Sequence, residues 1–447
     1  GCCSVLLQPI LAVYALAFAV PFGSLREFSL GEMTVGASQF LMLGLLLGWF
    51  LRMAAFRQVR LVWSPVTAGL LCYLGTMVIS VWPASDLIPA TKELLKWAEL
   101  LLLYLFVATE LEPSERRTLT VSLLLAGILQ GALGIYQFVG HVGPPAFVLF
   151  GGYVRAHGTF LQPNPFGGYM GLLLPLAYAT TFTLWPEALI ARRRHGVWPV
   201  LQWPLALLAS GVMLAALVMS WSRGALVGFA FGLGLVALAL GRWVWMAMAV
   251  IALVLLLLGP LPLSILPGGV LERLSDITQY VGARDLTAIE ITDGNFSIIE
   301  RLAHWQAAWR MFAGRPWLGV GTGQYASAYR SVALPRWQDP LGHAHNYFLN
   351  VLAEGGLVGL FGHLVFVATA LLVAWRAARR ERGWRRGLAL GALGMMGHLL
   401  AHSLFDNLYV HEMYLVIAML LGMVAPARCG SGARHPQMAA ARDLEIP

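Results

Sequence analysis

Apolar stretches of about 18–23 residues recur along nearly the whole chain, and that is the length with which an α-helix crosses the hydrocarbon core of a bilayer. In lipid every backbone N–H and C=O must be satisfied within its own segment, so such stretches must be helical. The blocks lie at about 5–22, 35–51, 61–82, 90–109, 118–140, 165–185, 199–219, 224–241, 243–262, 347–374, 387–405 and 407–426. They predict an all-α, polytopic membrane protein of about 12 transmembrane helices with one large external loop. Charged residues make up 12% of the chain, against roughly 25% in soluble domains. That is too little polar surface for a water-soluble fold.

The net charge of +8 invites a nucleic-acid reading, but the placement of the charge argues against it. Two of the 30 basic residues are lysines, Lys92 and Lys96, and the rest are arginines. One set of alternate short loops and the tail hold eighteen arginines (Arg52, Arg57, Arg60, Arg116, Arg117, Arg192–Arg194, Arg242, six from Arg376 to Arg386, then Arg428, Arg434 and Arg442). The opposite short loops hold three, Arg26, Arg155 and Arg223. The positive-inside rule makes the rich side cytoplasmic, with both termini there. The first two blocks follow closely, which reads as a first membrane helix rather than a cleaved leader. Cys2, Cys3, Cys72 and Cys429 show neither metal spacing nor a disulfide framework.

This gives four regions: helices one to nine over 1–262, a long external loop over 263–346, helices ten to twelve over 347–426, and a cytoplasmic tail over 427–447. Seven arginines and seven acids balance within the loop, and long loops escape the sidedness rule. Ser297 to Glu300 fits a capping box, and Gly314-Arg315-Pro316 is a stop signal. Between them Ile298, Leu302, Trp305, Trp309 and Phe312 recur at helical steps. This stripe suits either the membrane interface or the top of the bundle. No internal repeat is visible, which counts against a secondary transporter.

A polar run, Gly342-His343-Ala344-His345-Asn346, stands where the long loop enters the tenth span, followed by Gly356 and Gly359. His345-Asn346, nine residues, Gly356, two residues and Gly359 resembles the signature of the O-antigen ligase and polymerase superfamily. Arg155-Ala156-His157-Gly158 with Pro163-Asn164-Pro165, Ser222-Arg223-Gly224, Arg301 leading a Trp-rich helix, Pro316-Trp317-Leu318-Gly319, and Ser403-Leu404-Phe405-Asp406-Asn407 are similar to further family segments, in order over about 90–412. The resemblance implies a GT-C-like glycosyltransferase of the bacterial inner membrane. It would act at the periplasmic face, moving a glycan from undecaprenyl diphosphate to a hydroxyl such as that of lipid A-core. It also implies inversion, no metal and no cofactor, and it carries the family's essential positions onto His345, Arg223 and Arg301. Polymerisation of another lipid-linked glycan is the alternative, and transport, a label some relatives carry, is the more distant one.

Elementary chemistry agrees with those positions. An attacking hydroxyl must shed a proton, which suits histidine, whose ordinary pKa of about 6.5 leaves it largely neutral at pH 7. A departing diphosphate gathers negative charge, which suits the planar, permanently charged guanidinium. His345 is therefore read as general base, with Arg223 and Arg301 as diphosphate clamps. Arg223 could instead snorkel at a helix end, and Arg301 could pair with Glu300. Arg155 and His157 read as glycan or phosphate contacts or as a satisfied loop pair, and Asn346 as a substrate contact. Lys92 and Lys96, with Glu93 and Glu99, read as substrate contacts or as mutually paired charges. Asp406 could orient a catalytic group or cap a helix. His343 and His345 form an H-x-H pair with no compact third ligand, so zinc is disfavoured. Gly319, Gly321 and Gly323 do not match a dinucleotide fingerprint and read as a turn.

Overall fold

The computed structural model describes residues 8–23, 27–30, 33–57, 61–149, 152–191, 197–248, 286, 287, 289–292 and 295–425. Helices stand at every expected span except one. They are α1 Pro9–Phe22, α2 Ala37–Phe56, α3 Pro65–Ile79, α4 Leu87–Glu110, α5 Pro113–Val139, α6 Pro163–Ala191, α7 Val197–Met219, α8 Arg223–Leu240, α11 Tyr347–Arg380, α12 Gly383–His402 and α13 Met413–Val424. Of the ninth span, 243–262, the helical part reaches 248, and the remainder lies outside the described residues, as do 263–285 of the long loop and the tail. Among the described residues five helices (α2, α5, α7 from Leu201, α8 and α11) are long and apolar enough to cross a membrane.

The loop itself folds into α9 Phe296–Gly314 and the short α10 Tyr325–Tyr329. One departure from the all-helical expectation is an antiparallel hairpin, β1 Glu27–Leu30 with β2 Met33–Gly36, in the register Glu27 to Gly36 and Leu30 to Met33. A second departure is the start of α9. Asn295, not Ser297, stands at the N-cap, and no side chain caps the helix there. Asn295 instead closes its own turn by accepting from Thr292 N and donating to Glu290 O.

The core is built around α12, which is buried along almost its whole length. Small residues allow this. A Cβ on Gly391 would sit 2.8 Å from Leu176 Cα of α6, and one on Gly397 would sit 2.8 Å from Gly232 Cα of α8. Close backbone approach of this kind drives helix association where lipid offers no hydrophobic contrast.

The connections gather at two ends of the bundle. At one end the segment 152–162 bonds to the α7–α8 turn, where Ala156 N donates to Met219 O. There too Tyr347 N donates to Ser403 O, and Thr322 N to Ser80 O. At the other end the buried Arg116 guanidinium donates to the carbonyls of Ala108, Leu111, Met423 and Ala425. It thus caps the ends of α4 and α13, a structural duty beyond the topological one. Helix α9 lies on the first end with Ile299, Ala303, His304, Ala307, Ala308 and Met311 buried, while Trp309 is exposed. The helix packs on the bundle, and its inward face keeps Ile298 of the stripe read in the sequence but is otherwise rotated from it.

Candidate functional site

The helix α11 is broken at Gly356, whose φ of 59° and ψ of −156° belong to a region that only glycine readily enters. An unbroken helix would send Leu357 N–H to Ala353 O and Val358 N–H to Glu354 O. Here Leu357 N donates to Pro316 O and Val358 N to Trp317 O, while Ala353 O and Glu354 O accept from Val320 N and Gly321 N. The loop is thus inserted into the break, and each freed backbone group finds a partner. The Glu354 carboxylate adds two more bonds, accepting from Gly323 N at 3.1 Å and Tyr325 N at 3.0 Å. The "turn" of Gly319, Gly321 and Gly323 is this inserted segment, and all three have positive φ.

The same anchoring fixes the polar run before α11. Asn346 is the N-cap, its Oδ1 accepting from Leu349 N at 3.1 Å. Asn350 Oδ1 accepts from Ala344 N at 3.1 Å, and Trp305 Nε1 of α9 donates to His345 O at 3.3 Å. His345 adopts a left-handed backbone, φ 51°, uncommon for a residue with a Cβ. Its Nδ1 lies 3.4 Å from Asp406 Oδ1, and Nε2 of His343 lies 3.9 Å from the same oxygen. Both ring nitrogens of His345 are buried without a hydrogen-bond partner among the described residues, so the Nδ1–Asp406 approach is a close charge contact and Nε2 is open.

Proton positions follow from these contacts. A backbone N–H can only donate, and His345 N lies 3.1 Å from His343 Nδ1, so neutral His343 carries its proton on Nε2, toward Asp406. The carboxylate likewise favours the proton of His345 on Nδ1, leaving Nε2 as a lone pair. Burial opposes ionisation of Asp406, but the close approach of His345 and the nearby rings of His343 and His402 hold its carboxyl well below the usual range. Burial pushes His343 down to about 4 against the pull of Asp406. At neutral pH the site therefore sets an aspartate against a neutral His343. His343, His345 and Asp406 have the donor types of a metal site. A metal-bound imidazole, however, ordinarily donates from its other nitrogen, and His343 Nδ1 is committed to accepting. The arrangement fits a proton network better than a metal centre.

Two further elements wall the site. Arg301 on α9 bears electrostatically on His343 and His402, while its Nε is buried without a partner among the described residues. One turn on, His304 stands edge-on to His345 with ring centroids 5.6 Å apart. Its Nδ1 is 3.0 Å from Tyr325 Oη and its Nε2 is 3.4 Å from Tyr329 Oη. Burial, with His345 and His343 beside it, pushes His304 down to about 4. Burial raises Glu300, against the opposing pull of His345 and Arg301.

Because His304 and His343 fall to about 4 from an unfolded value near 6.5, the unfolded chain binds more protons between those pH values. Stability at this end is therefore expected to be lost as pH falls from about 6.5 to 4. Thermal unfolding in detergent at pH 7 and pH 4.5 checks this, with a lower Tm expected at the acid value.

The remaining predicted residues divide. Arg223 begins α8, and a Cβ on its neighbour Gly224 would lie 3.1 Å from His402 Cδ2, so the turn abuts the cluster through His402. Arg155 braces that turn, Nε donating to Ser220 O at 2.9 Å and Nη2 to Asn164 Oδ1 at 3.0 Å. His157 is buried, its Nδ1 3.1 Å from Arg155 O. Lys96 pairs with Glu93 at 2.6 Å and bears on His343, whereas Lys92 is exposed. His304, His402, Tyr325 and Tyr329 were not singled out from sequence. The signal for His304 was its place three residues after Arg301 on a helix, hence on the same face.

A helical protein with several helices of membrane-crossing length and a buried histidine–aspartate cluster under a loop inserted into a broken helix is the class that fold and site define. The O-antigen ligase family model matches residues 208–364, a stretch that includes Arg223, Arg301, His345 and Gly356. The match covers about a third of the chain, and over that stretch the chain is similar to the O-antigen ligase family. No curated protein matches the chain.

Proposed function

We propose that the protein is a metal-independent, inverting glycosyltransferase of the bacterial inner membrane, transferring a glycan from undecaprenyl diphosphate to a hydroxyl acceptor such as lipid A-core. The alternative within the family is polymerisation, which differs in the acceptor. The observation that carries the reading is the His345–Asp406 pair beside Arg301, together with the family match that includes His345 and Arg301.

The acceptor oxygen attacks the anomeric carbon while the bond from that carbon to the diphosphate oxygen breaks, and the electron pair leaves with the diphosphate. The acceptor proton passes to His345 Nε2, and Asp406 stabilises the imidazolium that forms. Arg301 and Arg223 balance the charge developing on the diphosphate. Arg155 and His157 act through the turn that carries Arg223, Asn346 fixes the start of α11, and Lys96 and Lys92 line the approach. In this reading there are about 12 spans, both termini face the cytoplasm and the site faces the periplasm, because the arginine-rich loops are taken as the inner ones.

Reconstitution in vesicles with a polyprenyl-diphosphate glycan and either lipid A-core or a second lipid-linked glycan tests this. Product is expected with one acceptor, and Arg301→Ala and Arg223→Ala should each lower turnover by about 10²–10³-fold. Wild-type turnover in both variants, or solute uptake without any glycan transfer, overturns the reading.

A further inference from the structure

His343 has no part in the transfer step described above, yet its ring is more tightly engaged than that of His345. Its Nδ1 accepts the backbone N–H two residues on, at 3.1 Å. Asn and Asp side chains close the same i to i+2 contact in Asx-turns. The residue so held, His345, is the one with φ 51°. The two rings meet at 4.4 Å between centroids, 67° apart, and Nε2 of His343 faces Asp406 Oδ1 at 3.9 Å. The other side of His345 is held by Trp305, whose indole binds the carbonyl. Without His343 the His345 N–H loses its partner, and of the direct bonds to its main chain that from Trp305 remains, so the residue would relax from the left-handed region between its anchored neighbours and swing the imidazole off the Asp406 axis.

We propose that His343 is a positioning residue for His345: Nδ1 clamps the His345 backbone in its left-handed conformation, while Nε2 faces the Asp406 carboxylate at 3.9 Å. This rests on the reading of His345 as the base. Histidine suits the position because one ring supplies an acceptor near its backbone and a donor further out. Asn and Gln separate the two functions. The Asn Oδ1 lies where Nδ1 lies and can close the same turn, with nothing to reach Asp406. The Gln amide can reach toward Asp406 but has no acceptor at the nearer position.

The experiment measures donor KM and kcat for the reconstituted His343→Asn, His343→Gln, His343→Ala and His345→Ala proteins. The Gln and Ala variants of His343 are expected to lose about 10²-fold in kcat, with donor KM within about threefold of wild type, the signature of misplaced catalytic geometry. The Asn variant should stay within about tenfold of wild type. Wild-type kcat in His343→Gln overturns the clamp, as does a His343→Asn protein no better than His343→Ala. A rise in donor KM matching the loss in kcat would make His343 a substrate contact and overturn it as well. Inactive His345→Ala alongside unimpaired His343 variants removes the positioning role alone. Active His345→Ala removes the reading beneath it.

Discussion

Replacing His345 by alanine is expected to lower kcat for glycan transfer by about 10²–10⁴-fold, the range that a positioned general base supplies. The loss should fall on kcat and leave donor KM nearly unchanged. A base takes its proton only in the transition state and contributes little to ground-state binding. Asp406→Asn should be similarly damaging although it removes no reacting group. An amide facing His345 Nδ1, 3.4 Å from the present carboxylate oxygen, can donate to it, which moves the imidazole proton to Nε2 and hides the lone pair. Initial rates in vesicles across a range of donor concentrations decide the matter. Wild-type kcat in His345→Ala would exclude it as the base, and a pure KM effect would make it a binding residue instead.

The second large effect is structural. Gly356→Ala places a Cβ 2.4 Å from the carbonyl carbon and oxygen of Trp317, both backbone atoms that cannot turn aside. It also forces a side chain onto a φ of 59° with ψ of −156°. Strain of this kind costs about 1–3 kcal/mol before the clash is counted, so a loss of about 3 kcal/mol or more is expected. The route open to the chain is to straighten α11, which expels the 316–321 segment and the four backbone bonds it makes to the helix. Loop detachment should therefore accompany the drop in Tm, read as faster proteolysis within 286–346. Gly359→Ala is the internal control. Its Cβ would meet only Val351 at 3.6–3.7 Å, ordinary contact, and alanine is a better helix former than glycine by about 1 kcal/mol. A Tm at or above wild type is expected there. Equal damage from both substitutions would refute the inserted-loop account of the motif.

The two glycines of the motif mark how far the sequence can be read. One breaks the helix to admit the loop, and the other makes only ordinary contacts. Spacing records that small residues are required without recording which backbone conformation each adopts. Asn346 was read as a substrate contact, and the structure gives its side-chain oxygen to the N-cap of α11. Arg155 and His157 were left between ligand contacts and a satisfied pair, and hydrogen bonds to Ser220 O and within the segment favour the pair. In each instance the deciding partner is a backbone group, and backbone groups look alike in every sequence.

By itself the sequence determined the helical class, the presence of apolar helices of membrane-crossing length, and a histidine and arginines where loops meet helices. These depend on the length of apolar runs, on charge counts and on local spacing, all properties of neighbouring residues. The tertiary structure decided that Asp406, from the connection between α12 and α13, meets His345 at the start of α11, and that His304 and His402 enclose them. It also decided that Gly356 opens a helix to a loop. Those outcomes depend on which buried polar groups find one another when distant segments pack. Burial makes an unpaired donor or acceptor costly, so the pairing is settled only by the packed fold.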